Sequence, residues 1–413
     1  MRSRQVAGLA LTVVGALLAV GCTTTVAGQA EVDSGSAGQD MMPDGMILLQ
    51  EDGDGPHTFG CTVAFDACQV LSLEGAVDAG FEAELGSGPS PQLINWHQLA
   101  DGAHHPEQGG MDTGLTNCSI PGASADRLSL TVYQAPFDNP EWRDTTERVF
   151  SRDFASTHAD TEFESEKQLA GMRVVTMKKE IDTWSVAFFA NEFYARMMVQ
   201  AGESDSPEAV RDSLVETVVE GLAEGPRPPV AYAYADPYSW VPSPCALFTA
   251  DDYAESWGHP DIGRVEERLS MSEVVLTHEK GNALHVRTSC QRQNEQAANM
   301  DAPSSTASPN GLTVELSHYR DESGAELSNN YDCDGDKKYS HPFGEPEKVD
   351  MELGDGHVCL IQYGRHAPGF TFKVGRTVVE ITSWNLDIYD SGKRMNQVLL
   401  PPAQNVAERL AEL

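Results

Sequence analysis

The landmarks of the first half of this chain recur in the same order in its second half, and a repeat of that length predicts one architecture built twice. Cys68 is followed by Ser72, a good helix N-cap, with Glu74 in the next turn. Cys245 is followed by Thr249, with Asp251 and Asp252 in the next turn. A hydroxyl at the N-cap accepts a bond from an otherwise unpaired backbone N–H, and the helix dipole favours acids just after it. Each copy then carries a second cysteine, Cys118 after Thr116 and Asn117, and Cys290 after Thr288 and Ser289. A strand with apolar residues at every second position follows, over 128–132 and over 312–316. Gly171 and Gly356 each precede another strand. Two more strands come next, 184–190 with 193–199 and 370–374 with 377–382, and each copy closes on a helix ending at 218–224 or 406–412. The first closing helix is punctuated throughout: Ser206 as cap, Pro207 in the first turn, a stripe of Val210, Leu214, Val218 and Leu222, then Gly225 and Pro226. The offset between matched landmarks stays between 172 and 188 residues.

The pattern predicts an α+β fold of two tandem similar domains, each an antiparallel sheet with helices packed on one face and stapled by disulfides. The copies span 61–225 and 241–413, with residues 226–240 as linker. Pro226, Pro228 and Pro229 make that linker stiff and extended. Its aromatics, Tyr232, Tyr234, Tyr238 and Trp240, are expected to cover the seam between the domains. Insertions should fall in polar loops, chiefly between Cys290 and Leu312.

The N-terminus bears on where the chain works. Arg2 and Arg4 precede an apolar stretch over 6–20 that is short for a bilayer, and small residues lead into Cys22. This junction resembles a bacterial lipobox, with Ala19 where Leu is usual. The resemblance implies that 1–21 is a lipoprotein signal peptide, that Cys22 is acylated, and that the protein is anchored on the extracytoplasmic face of the cell membrane. Residues 22–60 contain no Lys or Arg and read as a flexible acidic tether, although the apolar patch at 46–49 could dock as a first strand. With 28 basic and 63 acidic residues the formal charge is −35, which excludes nucleic acid and polybasic membrane contact. An exported chain can oxidise its cysteines. The duplication pairs Cys68 with Cys118 and Cys245 with Cys290. Cys333 and Cys359 have no first-copy counterparts and should form a third bridge, leaving Cys61 as the unpaired thiol.

Residues 243–249 (Ser-Pro-Cys-Ala-Leu-Phe-Thr), the second cysteine Cys290 and the 21–25 junction (Gly-Cys-Thr-Thr-Thr) together resemble a family of actinobacterial cell-envelope lipoproteins catalogued only as a domain of unknown function. More loosely, the two-cysteine α+β layout is similar to extracellular sensor domains of actinobacterial receptor kinases. The first copy departs from the motif, with Ala67 in place of the usual Pro and Gly75 interrupting the helix. The resemblance lends no catalytic residues. No G-x-S-x-G, S-x-x-K, H-E-x-x-H or Walker sequence occurs. His97, His104, His105 and Glu107 are ligand types for zinc or copper, but they lack helical spacing in a Gly-rich stretch and read as a solvated loop. Residues 332–336 (Asp-Cys-Asp-Gly-Asp) resemble the start of a calcium loop. Lys337 and Phe343 stand where that loop needs Gly and Glu, so a turn held by Cys333 is the plainer reading. No metal or cofactor is expected. The leading expectation is a non-catalytic, lipid-anchored envelope protein that binds or senses an envelope lipid, glycan or protein. The alternatives are an enzyme acting on envelope polymers and a structural or assembly partner.

Overall fold

The computed structural model describes residues 46–53, 58–59, 62–83, 92–98, 115–122, 126–134, 140–158, 160–202, 204–278, 281–294, 310–333, 347–362, 368–384 and 391–413. The first half opens with β1 (Leu48–Asp52), β2 (Thr58–Phe59), β3 (Thr62–Val63) and helices α1 (Ala67–Val70) and α2 (Leu73–Asp78). Then come β4 (Gln92–Gln98), β5 (Thr116–Pro121), β6 (Arg127–Tyr133), α3 (Pro140–Val149) and α4 (Arg152–Thr157). A four-strand meander follows, β7 (Glu162–Leu169), β8 (Met172–Glu180), β9 (Thr183–Phe189) and β10 (Tyr194–Gln200), closed by α5 (Pro207–Glu224). Strand β11 (Val230–Tyr234) leads to α6 (Pro244–Leu247), α7 (Ala250–Trp257), β12 (Arg264–Ser270), β13 (Val274–His278), β14 (Gly281–Asn294) and β15 (Asn310–Tyr319). The chain ends with α8 (Glu322–Asp332), β16 (Glu347–Val349), β17 (Val358–Gln362), β18 (Pro368–Val374), β19 (Thr377–Trp384) and α9 (Ser391–Ala411).

One antiparallel sheet runs through both halves in the order β16-β17-β18-β19-β15-β14-β12-β4-β5-β6-β10-β9-β8-β7, with β13 attached to β14. Outward from the middle, the first half reads β4-β5-β6-β10-β9-β8-β7 and the second reads β12-β14-β15-β19-β18-β17-β16. The middle is a ladder between β4 and β12, from Gln98 opposite Arg264 to Gln92 opposite Ser270. Separate sheets were expected, and a single sheet is found, because the leading strand of each half would otherwise be an open edge and each satisfies the other's backbone groups.

The helix ends follow from local chemistry. The Thr249 hydroxyl accepts from the Asp252 amide while the Asp252 side chain accepts from the Thr249 amide, a reciprocal capping box, and Gly258 ends α7 in the left-handed region. Ser72 caps α2 through the Gly75 amide. Ser206 sits at the N-cap of α5 but makes no side-chain cap bond, so Pro207 alone marks that start.

Two apolar clusters lie under one layer of helices. In the first, Leu93, Ile120, Leu128, Leu130 and Val132 meet Val70, Leu71, Leu214 and Val218. In the second, Leu312, Val314, Leu316, Phe370 and Ile381 meet Leu247, Phe248, Leu399, Val406 and Leu410. Helices were expected on one face only. The opposite face also carries them: Phe150 and Ala155 of the α3–α4 segment pack on Val175, Ala187 and Tyr194, and Ala325 of α8 packs on Tyr319 and Val378. Tyr133, Phe189, Tyr194 and Val378 are apolar positions on that second face, and they need a cover of their own.

Disulfides join Cys68 to Cys118 (α1 to β5), Cys245 to Cys290 (α6 to β14) and Cys333 to Cys359 (just after α8 to β17). Within the span read as tether, β1 pairs antiparallel with β11, so the linker is a hydrogen-bonded strand. Tyr234 and Tyr238 are buried in the first core, while Tyr232 and Trp240 pack against it partly buried. Among the described residues no helix is long and apolar enough to cross a membrane. Residues 1–45, with Cys22, and Cys61, His104, His105 and Glu107 lie outside the described residues, as do 334–346.

Candidate functional site

Side chains alternate across a strand, so the register assigns each row of the sheet to one face. Beneath the main helix layer one row reads Met197, Leu130, Cys118, Asn95, Glu267, Cys290, Val314, Ile381, Phe370. It is apolar or disulfide-bonded except at the pair where the halves meet. The row one residue along, on the other face, reads Arg196, Thr131, Asn117, Trp96, Glu266, Gln291, Thr313, Thr382. Seven inter-strand steps make this polar row about 34 Å long. The α3–α4 segment packs toward one end of this face, and α8 packs toward the other, against β14, β15 and β19. At the centre of the row Glu266 and Gln291 are buried, and Trp96, Asn117 and Thr131 are half-buried.

The centre of the row is a charged cluster. The Arg268 guanidinium donates Nε–H to Glu266 Oε1 at 2.6 Å, with Nη2 also on that oxygen, and Arg264 Nη2 lies 3.3 Å from Glu266 Oε2. Arg264 also stands over the Trp96 ring, 5.4 Å from its centroid. Positions 264, 266 and 268 share a face because β12 is extended. One carboxylate between two permanently protonated guanidinium groups leaves a local charge of +1 in a chain whose total is −35. Around it, Asn117 donates to the Thr131 hydroxyl at 2.8 Å, Gln291 to the side-chain Oε1 of Gln293 at 3.3 Å, and Arg196 to the Ser185 hydroxyl at 3.1 Å. Two buried polar atoms of this face, Arg264 Nε and Thr313 Oγ1, have no hydrogen-bond partner.

Two other places collect polar groups. Under the helices, Ser243 donates to Glu267 Oε1 at 2.6 Å, while Asp66 accepts from the amides of Cys68, Gln69 and Val230. Burial pushes the Glu267 carboxyl above its ordinary pKa, opposed by the Ser243 bond and reinforced by the charge of Asp66. In the second half an open cleft of about 660 Å³ lies between α9 and the β18–β19 turn, lined by Trp240, Glu352, Leu353, Arg376, Glu408 and Leu410 among others. Arg376 is already engaged there, stacked on Trp240 at 4.2 Å and donating to the Arg320 carbonyl. Behind Trp240, His318 is held between the hydroxyls of Thr288 and Thr377 at 3.1 and 3.0 Å, and burial, with His285 nearby, pulls its pKa down to about 3.

No protein-family model matches the chain, and no curated protein resembles it significantly in sequence. Among the residues singled out from the sequence, six cysteines are brought together as three bridges. His97 stands at the end of β4 opposite Thr116, and among the described residues no group of three His, Cys, Asp or Glu side chains could hold a metal ion. The polar row went unread in the sequence because its members come from eight strands. The local trace of it is the alternation of 264–268 (Arg-Val-Glu-Glu-Arg) and 290–294 (Cys-Gln-Arg-Gln-Asn), which places polar residues on both faces of the central strands.

Proposed function

We propose that this is a lipid-anchored protein of the cell envelope with a non-catalytic binding or sensing role, and that its ligand binds at the polar face of the shared sheet, opposite the main helix layer. The observation that carries the reading is the polar row through Trp96, Glu266 and Gln291, where both halves contribute hydrogen-bonding side chains to one continuous row, half-buried at Trp96 and buried at Glu266 and Gln291. A small-molecule or glycan site needs a few convergent polar groups on a rigid support, and a sheet pinned by disulfides gives that support.

The sheet itself is best read as two tandem copies, 61–225 and 241–413, fused edge to edge. The equal strand order outward from β4 and β12 supports this, as do the matched disulfides at Cys68–Cys118 and Cys245–Cys290. Anchoring at Cys22, and membership of the envelope lipoprotein family that 243–249 resemble, complete the proposal. Two tests apply. Cys22→Ser should move the protein from the membrane to the soluble fraction; unchanged membrane retention removes the anchor. Trp96→Ala with Asn117→Ala, both at half-buried positions of that row, should weaken retention on isolated envelope material about tenfold or more, while Glu408→Gln in the cleft should leave it unchanged. Equal retention of both variants refutes the polar face as the site.

A further inference from the structure

We propose that the cleft between α9 and the β18–β19 turn is a second binding site, for a linear aliphatic polyamine, with ammonium groups on Glu322, Glu352 and Glu408 and the methylene chain against Leu353, Val374 and Leu410. The site is separate from the polar face and does not rest on the reading of that face. Three observations carry it. First, the cleft offers about 660 Å³, within the range of roughly 300–1,000 Å³ usual for small-molecule sites. Its apolar wall is made by buried Leu353 and Leu410 and half-buried Trp240 and Val374, and Leu413, which also lines it, stands 65% exposed.

Second, the carboxylates of the cleft are uncommitted. Glu322 at the start of α8, Glu352 between β16 and β17, and Glu408 of α9 are all exposed, and among the described residues none of them makes a hydrogen bond or ion pair. Arg409, next to Glu408, is held by Asp252, and Lys373 by Asp355 of the same cleft. Arg376, the cation of the lining, is stacked on Trp240 and donates to the Arg320 carbonyl, so three free carboxylates face one engaged guanidinium. Third, although these acids line one cleft, among the described residues no three of them come close enough to share a metal ion. A compact cation cannot satisfy them together. An extended one can, with its charges set apart by an aliphatic spacer that suits the apolar wall. The charge of −35 on the chain also concentrates cations around it.

The test is calorimetric titration of the full chain with spermidine and with hexaamminecobalt(III), two trivalent cations of which only spermidine is extended and aliphatic. Spermidine should bind more tightly. Glu352→Gln with Glu408→Gln should weaken it about fivefold or more, the loss of two partly exposed ion pairs. Glu216→Gln with Glu220→Gln, at exposed positions of α5 outside the cleft, removes the same charge and should weaken it less than about twofold. Unchanged thermal transitions of the variants separate loss of contact from loss of fold. Equal weakening by the two pairs would make spermidine a diffuse counter-ion of an acidic protein and overturn the site. Hexaamminecobalt(III) binding as tightly as spermidine overturns the polyamine class, and no binding of spermidine overturns site and class together. Each of these failures leaves the polar-face reading standing, because that reading is tested by Trp96→Ala with Asn117→Ala.

Discussion

Replacing Asp252 by Ala should destabilise the protein by about 3 kcal/mol, and the sum is built from the bonds around one carboxylate. Asp252 Oδ2 accepts from Arg409 Nη1 at 2.6 Å and Oδ1 from Arg409 Nη2 at 3.0 Å, tying α7 to α9 across 157 positions. The same carboxylate accepts from the Thr249 amide at 2.7 Å, from the Thr249 hydroxyl at 2.9 Å and from Asn405 at 2.8 Å. Its side chain is 2% exposed while that of Arg409 is 35% exposed, so the arginine can turn to water once its partner is gone. The full 3–5 kcal/mol for stranding a buried charge therefore does not apply, and about 2 kcal/mol is the appropriate share. Losing the capping box adds about 1 kcal/mol. Burial opposes ionisation of Asp252, but the bonds from Arg409, Thr249 and Asn405 outweigh it and hold the carboxyl below its ordinary pKa. A carboxyl with a depressed folded pKa contributes stability above its unfolded value, near 3.9, and loses it as pH falls through the folded one. Urea unfolding at pH 7 should show the loss at constant m-value, and the acid side of the stability curve below about pH 4 should flatten in the variant. A cost below about 1 kcal/mol with an unchanged acid limb would refute the reasoning.

In the first half the corresponding contact is made by glycine. An added Cβ at Gly221 would sit 2.7 Å from the Val70 carbonyl oxygen, so Gly221→Ala should cost about 1–3 kcal/mol despite alanine's better helix propensity, read as a lower urea midpoint. Exchanging Cys333 and Cys359 together for Ala opens a loop of 26 residues and should cost about 3 kcal/mol; hydrogen exchange should show α8 losing protection while α3 keeps it. His318→Gln should reduce acid lability: a histidine whose pKa is held at about 3 by burial contributes stability above pH 6.5 that drains as pH falls below it, and thermal melts from pH 7 to 4 should decline less steeply in the variant.

The elements that carry their own local signals were legible in the sequence. Thr249 and Asp252 announce a capped helix, Pro207 and Gly225 bound another, and 312–316 alternate as a strand. The joining of the halves was not legible, because the ladder between β4 and β12 is made by backbone groups that every strand possesses. Nor was the second helix layer: α8 reads as polar in isolation, and residues of other strands, Tyr319 and Val378 with Leu276 and Ala283 beside them, create the apolar spot that Ala325 covers. The polar face was hidden for the same reason. Arg264 and Gln291 look like ordinary solvent-side residues until the register sets them beside Glu266 and Trp96.

The ladder between β4 and β12 is crossed by no disulfide, since each described bridge closes within one half. A cut in the backbone at 226–229 would therefore leave two pieces held like a closed zipper, by seven paired positions between β4 and β12, five between β1 and β11, and the packing around them. The nicked protein should migrate as one body until denaturant is added, and the pieces made separately should find each other on mixing. A piece made alone keeps an unsatisfied edge and will take a second copy of itself as a substitute. The two ladders thus make the chain a natural split pair, in which wholeness depends on hydrogen bonds between strands and not on the peptide bond between the halves.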